Sequence, residues 1–260
     1  GKYYTYNVVT SMGDQEAVDP YAVSAGLNGN RGMILDMSTT DPEGWTGEVY
    51  DNPDVNNYTD AVIWEIHVRD FSNMNTASRY KGKYLAFTET GLKNEAGLPV
   101  GVDYLKELGI NAIWLSPIYD SPNDDNGYDI RDYRKIMKEF GTMEDFDQLL
   151  SEIHKRDMKL IMDLVVNHTS DEHEWFQKSR QRIEPYTNYY IWRSGKPNGK
   201  LPNNWDSNFE GKAWTWDEVR GEYYLHLFAV KQPDLNMDNP LVREEVKKIL
   251  RFWLDMGVDG

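Results

Sequence analysis

An apolar run that contains a single carboxylate is the feature that most constrains this chain. Residues 159–166 read KLIMDLVV, and Asn167 and His168 follow directly. A continuous apolar run is typical of a parallel strand that is covered on both faces. An aspartate inside such a strand is costly unless it is paired, so we expect an arginine as the partner of Asp163. Because α/β barrels carry their chemistry at the carboxyl ends of the strands, Asn167 and His168 are candidate site residues.

Composition excludes several kinds of partner and cofactor. The chain of 260 residues carries a formal net charge of -15, which argues against nucleic acid and anionic membranes as partners. It has no cysteine, so disulfides and thiolate metal sites are excluded. No apolar run approaches the roughly 18 residues that a membrane span needs. These features leave the compartment open, and we favour the cytoplasm while keeping secretion as an alternative.

Apolar periodicity predicts an alternation of strands and helices. Strands are predicted at residues 3–9, 61–68, 110–115 and 159–166. Helices are predicted at residues 100–108, after the capping signal Thr142-x-x-Asp145, and after Asn239 with Pro240 at the first position. This order implies parallel βα units. Residues 167–230 are aromatic and too long for a connecting loop, so they predict an inserted subdomain.

Three polar groups follow predicted strands or precede the last helix. Residues 124–129 (DDNGYD) suit hydrogen bonding to sugar hydroxyls and stacking on a ring, or form only a polar turn. His168 is a candidate for hydroxyl binding or proton transfer, or a structural histidine. Asp163 is more suited to organising a site than to reacting. Residues 232–236 (QPDLN), taken alone, favour a proline turn that leads into the helix cap.

These segments carry a resemblance to a known family. Residues 163–168 (DLVVNH) resemble the first conserved region of the α-amylase superfamily, glycoside hydrolase family 13. Residues 121–130 (SPNDDNGYDI) and 232–236 resemble its oligo-1,6-glucosidase branch, and residues 257–260 (GVDG) resemble the approach to its nucleophile strand. This resemblance covers about residues 105–260. Residues before about 105, with YYTY, VDPYA, NGNRGMILD, IWEIHVRDF and YLAFTETG, are similar to type I pullulanases.

The resemblance implies an α/β fold with a definite division of the chain. We expect a partial (β/α)8 TIM barrel, made of the first three βα units, with a subdomain inserted after strand 3 and the end of a β-sandwich before it. The implied parts are 1–57 (sandwich and linker), 58–166 (barrel strands 1–3 and helices 1–2), 167–230 (inserted subdomain) and 231–260 (helix 3 and the start of strand 4).

The resemblance also implies retaining hydrolysis of α-glucosidic bonds, foremost α-1,6 bonds in α-glucans or oligosaccharides, by two carboxylates. The nucleophilic aspartate and the acid glutamate are expected after Gly260, so the chain is expected to be an incomplete segment that is inactive alone. Alternatives are a trehalose synthase or α-1,4-glucosidase of the same superfamily, or a catalytically silent carbohydrate-binding fragment.

The family pattern assigns five positions of this chain to the sugar pocket. Asp125, Tyr128 and His168 are expected to contact the non-reducing glucose, Phe228 to line the same pocket, and Asp163 to hold it in shape. No cofactor is expected. No metal is expected either, because residues 87–101 (FTETGLKNEAGLPVG) lack the alternating oxygen ligands of a calcium loop.

Overall fold

The structure, a computed structural model, describes residues 2–41, 43, 45, 57–75 and 77–260. The chain forms two compact units that divide after Asn56. The first unit contains β1 (Lys2–Tyr4), β2 (Tyr6–Thr10), β3 (Gly13–Ala17) and β4 (Gly32–Ile34). The second contains β5 (Ile63–Ile66), α1 (Val68–Asn73), α2 (Val102–Glu107), β6 (Ala112–Leu115), β7 (Tyr119–Asp120), β8 (Asp132–Ile136), α3 (Met143–His154), β9 (Lys159–Met162), α4 (Glu174–Arg180), β10 (Trp192–Arg193), β11 (Trp214–Asp217), β12 (Glu222–Leu225) and α5 (Pro240–Asp255).

The first unit consists of two separate antiparallel pairs. β1 pairs with β4, and β2 pairs with β3 through a tight turn that ends at Gly13 with a φ of 103°. The strand predicted at 3–9 is therefore wrong as a single element, because it is interrupted at Thr5 and its halves join different sheets. Every residue of β2 is exposed, so this pair is held by its backbone bonds rather than by a core. The β-sandwich stays a prediction.

The second unit is built around a parallel sheet in the order β5-β6-β9. Each strand is shorter than its apolar run predicted, but all three lie within the predicted ranges. The last residues continue this sheet, since Met162 N donates to Gly260 O at 2.9 Å and Asp259 N donates to Leu160 O at 3.0 Å. The parallel βα arrangement predicted from the sequence is thus confirmed for the described strands.

Helices α3 and α5 supply much of the core of this unit. Thr142 Oγ1 accepts from Asp145 N at 3.2 Å and Asp145 Oδ2 accepts from Thr142 N at 2.9 Å, which confirms the predicted capping box. Asn239 caps α5 as predicted. The apolar sides of the two helices and the sheet share one buried cluster, which includes Ile113, Leu115, Phe146, Leu149, Ile153, Leu160, Ile249 and Trp253.

Residues 167–230 have more regular structure than the sequence indicated. They contain α4 and the antiparallel sheet β10-β12-β11, with small aromatic clusters of their own around Trp192 and Trp214. Of the five tryptophans in this segment, Trp192 and Trp214 are buried and Trp175 packs partly buried against the core, whereas Trp205 is 54 % and Trp216 is 43 % exposed. A three-stranded sheet buries mainly one face, so aromatic residues on its other side and in its loops stay in solvent.

Candidate functional site

A cavity of about 480 Å³ lies beyond the carboxyl ends of β6 and β9. All five residues that the sequence singled out line it, namely Asp125, Tyr128, Asp163, His168 and Phe228. The rest of the lining is residues 164–167 and Phe209. A larger depression of about 850 Å³ beside Trp64 and Tyr104 contains none of the five. The cavity lining has two carboxylates and no lysine or arginine, so the site favours neutral or cationic ligands over anions.

Asp163 lies at the tip of β9 rather than inside it. The ladder with β6 ends at the Leu115–Met162 pair, because Pro117 follows closely and has no N–H to donate. Asp163 is therefore half-buried, which corrects the prediction of a fully enclosed carboxylate. Burial raises the pKa of the Asp163 carboxyl, and a long 3.4 Å hydrogen bond from Tyr128 OH opposes that change.

The expected cationic partner of Asp163 is not found in the part of the chain that the structure describes. None of the ion pairs formed by described residues includes Asp163. Its described neighbours include Tyr128, which donates to it, Trp114, whose indole opposes the rise in its pKa, and Glu65, whose charge adds to that rise. The arginine partner stays a prediction.

His168 is buried, and both of its ring nitrogens are engaged. Nε2 donates to the carbonyl oxygen of Tyr128 at 3.1 Å, and Nδ1 accepts from Asn167 Nδ2 at the same distance. This pattern fixes the neutral Nε2–H tautomer. Burial lowers the pKa of His168, although the hydrogen bond to the Tyr128 carbonyl and the nearby carboxylate of Asp125 both act to raise it. Binding a hydroxyl through the ring therefore requires one of these bonds to open.

The loop after β6 is organised by Asp129, to which the sequence analysis assigns no separate role. This carboxylate is fully buried and accepts from Ser121 Oγ at 2.9 Å, Asp124 N at 2.9 Å and Asp125 N at 3.1 Å. Gly127 has a φ of 93°, and a Cβ there would lie 2.9 Å from Pro117 O. The polar turn and the candidate site are thus the same structure, since the turn sets the positions of Asp125 and Tyr128.

Residues 231–234 form contacts with both halves of the site, which corrects the interpretation as a plain proline turn. Gln232 Nε2 donates to Asp125 Oδ2 at 2.9 Å, and Lys231 Nζ lies 2.8 Å from Asp124 Oδ2. Asp234 Oδ1 accepts from Asn167 Nδ2 at 3.0 Å. Asp125 and Gln232 are 107 residues apart in the chain, so local patterns could not have found these contacts.

Aromatic rings form one wall of the cavity. The ring of Phe228 lies 5.1 Å from that of His168 and 5.5 Å from that of Phe209. Phe209 is 59 % exposed and was not predicted, because it lies in an irregular segment with no periodic signal. Such apolar faces beside hydrogen-bonding carboxylates suit a ligand with a hydrophobic face and polar edges, as sugar rings have.

Comparison with known proteins agrees with this geometry. The alpha amylase catalytic domain family matches residues 86–260. The chain belongs to the alpha-amylase family. It is 56 % identical over 204 residues to an oligo-1,6-glucosidase of Parageobacillus thermoglucosidasius, covering 78 % of the chain. It is 48 % identical over 201 residues to a trehalose-6-phosphate hydrolase of Bacillus subtilis, covering 77 %.

Solved structures show the same relationship. The trehalulose synthase of Pseudomonas mesoacidophila matches with a TM-score of 0.68 and 51 % identity, over 78 % of the chain and 34 % of that protein. The chain likewise spans 34 % of the length of the two curated relatives above. No helix among the described residues is long and apolar enough to cross a membrane.

The comparisons give no support for the pullulanase-like segment. An alignment of 204 residues is longer than the stretch 106–260, so similarity to oligo-1,6-glucosidases extends upstream of residue 105. The predicted changeover near residue 105 therefore does not mark the end of that similarity.

Proposed function

We propose that the whole protein hydrolyses α-glucosidic bonds, foremost α-1,6 bonds of α-glucans or short oligosaccharides, and that this chain supplies one wall of the sugar pocket. The observation that carries the proposal is the meeting of Asp125, Tyr128, Asp163, His168 and Phe228 around one cavity at the ends of parallel strands. Identity of 52–56 % to several oligo-1,6-glucosidases supports the choice of linkage.

In this proposal each side chain of the wall has a physical role. The Asp125 carboxylate accepts a hydrogen bond from a sugar hydroxyl, and Phe228 packs on an apolar face of the ring. Tyr128 borders the same ring, while His168 joins the Tyr128 backbone to Asn167 and so keeps the two loops together. Asp163 accepts a hydrogen bond from the Tyr128 hydroxyl, and the predicted arginine would form an ion pair with it.

Bond cleavage itself needs two further carboxylates. We propose that the whole protein carries them after Gly260, about 5–5.5 Å apart, as a retaining mechanism requires. The bonds of Asp259 and Gly260 to the edge of β9 support this, because the next strand of the sheet would then bring its carboxyl end to the same cavity.

We also propose that β5, β6 and β9 are the first three strands of a (β/α)8 barrel. Residues 167–230 would be the inserted subdomain, residues 231–260 helix 3 and the start of strand 4, and residues 1–57 the end of a β-sandwich with its linker. The parallel order of the three strands supports the barrel.

The names of two relatives indicate alternative reactions. One is called a trehalose-6-phosphate hydrolase and another a trehalulose synthase. The described lining of this wall carries Asp125 and Asp163 and no cationic side chain, so the wall itself offers nothing that would bind the phosphate of a phosphorylated sugar. Sugar isomerisation is not separated from hydrolysis by this argument, so it has to be tested directly.

The experiment uses the protein produced with its complete reading frame. We expect release of glucose from isomaltose, with slower release from maltose and little from trehalose 6-phosphate, and no isomers from sucrose. Conversion of sucrose to an isomer as the main reaction would favour the trehalulose synthase rival. Binding of glucose or isomaltose without turnover would favour a silent carbohydrate-binding protein.

A further inference from the structure

Gln232 is held at both ends of its side-chain amide. The residue is 1 % exposed, and its Oε1 accepts from Ala229 N at 2.9 Å while its Nε2 donates to Asp125 Oδ2 at 2.9 Å. Rotating the amide by half a turn would place its oxygen against a carboxylate and its NH₂ against an N–H group. Both contacts would be repulsive, so the orientation of the amide is fixed.

The hydrogen bond from Gln232 removes the remaining rotational freedom of the Asp125 side chain. Its backbone N donates to Asp129 Oδ1 at 3.1 Å and its carbonyl accepts from Tyr128 N at 2.8 Å, so only the side chain can rotate. The amide of Gln232 occupies Oδ2. Within the described part of the chain, no hydrogen bond to Oδ1 is formed, so the carboxylate keeps one acceptor for a ligand.

We propose that Gln232 is a positioning residue that orients the Asp125 carboxylate so that its second oxygen accepts one hydroxyl of the bound sugar. This inference rests on the proposed function and goes beyond it by naming the group that fixes the acceptor. A carboxylate held by a neutral donor costs little rotamer entropy when the sugar binds. It also makes the contact selective for a ligand that has a hydroxyl at that position.

The test measures binding of glucose and its monodeoxy analogues by calorimetry, with the protein produced from its complete reading frame. In the wild type we expect one deoxy position to weaken binding about tenfold or more, because the carboxylate loses its hydroxyl partner. In Gln232→Met, which keeps the length but not the donor, that penalty should shrink at least threefold. Penalties at the other positions should stay the same, which a general loss of structure would not produce.

Gln232→Glu provides a second, independent variant. It sets a carboxyl group at hydrogen-bond distance from Asp125, and two such groups cannot both ionise easily, so they share a proton at low pH. We expect glucose binding to fall about tenfold near pH 8 and to recover toward pH 5. The other charged and titratable groups around Asp125 are common to all variants, namely Asp129, the Asp124–Lys231 pair, Asp163, His168 and Asp234, so each variant is compared with the wild type at the same pH. Gln181→Glu, an exposed change at the C-cap of α4 and outside the cavity lining, is the matched control and should bind like the wild type.

The outcomes separate the two claims. Sugar binding by the wild type with the same deoxy profile in Gln232→Met would overturn the role of Gln232 and leave the proposed function standing. No binding of any sugar by the folded wild type would overturn both. Should Gln232→Glu fail to fold by circular dichroism, the deoxy profile of Gln232→Met decides.

Discussion

Asp234 gives the protein a stability that depends on pH. Asp234 is only 3 % exposed, and its carboxylate accepts hydrogen bonds from Asn167 Nδ2 at 3.0 Å and from Leu227 N at 3.3 Å. Burial raises the pKa of this carboxyl from 3.8 to about 7, because the two hydrogen bonds offset only part of the desolvation. Between these two values the native state holds a proton that the unfolded state releases.

The sign and size of the effect follow from proton linkage. Because the native state binds more protons, the free energy of unfolding falls as pH rises and becomes level above about pH 7. At about 1.36 kcal/mol per pKa unit the full loss is about 4 kcal/mol, of which about 2.5 kcal/mol falls between about pH 5 and 8. Asp234→Asn removes the titration and keeps an oxygen that can accept from Asn167.

Thermal unfolding of the two proteins, followed by circular dichroism across this pH range, measures the effect. We expect the midpoint of the wild type to drop by roughly 5–10 °C more than that of Asp234→Asn. The buried His168, His173 and His226, whose pKa values are lowered by burial, are present in both proteins, so the effect of Asp234 is taken from the difference between the two curves. Parallel curves would refute the reasoning, since Asp234 would then be ionised at every pH tested.

Two further predictions concern the loop after β6 and the start of α3. Gly127→Ala should destabilise the protein by about 2 kcal/mol or more, because the new Cβ meets Pro117 O at a positive φ. The same change should weaken sugar binding. An unchanged denaturant midpoint and an unchanged affinity would show that the loop is not tightly held. Thr142→Ala should lower the free energy of unfolding by about 1 kcal/mol through loss of the N-cap and leave sugar binding unchanged. Urea unfolding measures the stability, and calorimetry on the same sample measures the affinity. An altered affinity would contradict the separation of cap and site.

The sequence predicted those parts of the fold that depend on local patterns. The apolar period located β6, β9, α3 and α5, and the cap signals at Thr142 and Asn239 were confirmed because a cap is satisfied by its own neighbours. The predicted end of β9 lies several residues too far along the chain. The strand ends where its pairing with β6 ends, which the composition of β9 itself does not determine.

Contacts between distant parts of the chain explain what the sequence missed. His173 is buried as the N-cap of α4, where Trp175 N donates to its Nδ1 at 3.0 Å, although histidine is not among the usual capping residues. The contacts of Gln232 and Asp234 with the site depend on chain folding over many residues, and the local pattern, taken alone, favoured a proline turn. By contrast, all five residues predicted for the sugar pocket line one cavity, and four of them, Asp125, Tyr128, Asp163 and His168, belong to the segments that carry the family resemblance.

A crystal structure of the protein with glucose or isomaltose bound would test the central claim most directly. The account predicts a sugar ring in the cavity beyond β6 and β9, with one hydroxyl within hydrogen-bond distance of Asp125 and an apolar face against Phe228. A sugar bound instead in the depression beside Trp64 and Tyr104, with the cavity at Asp125 left without ligand, would contradict it.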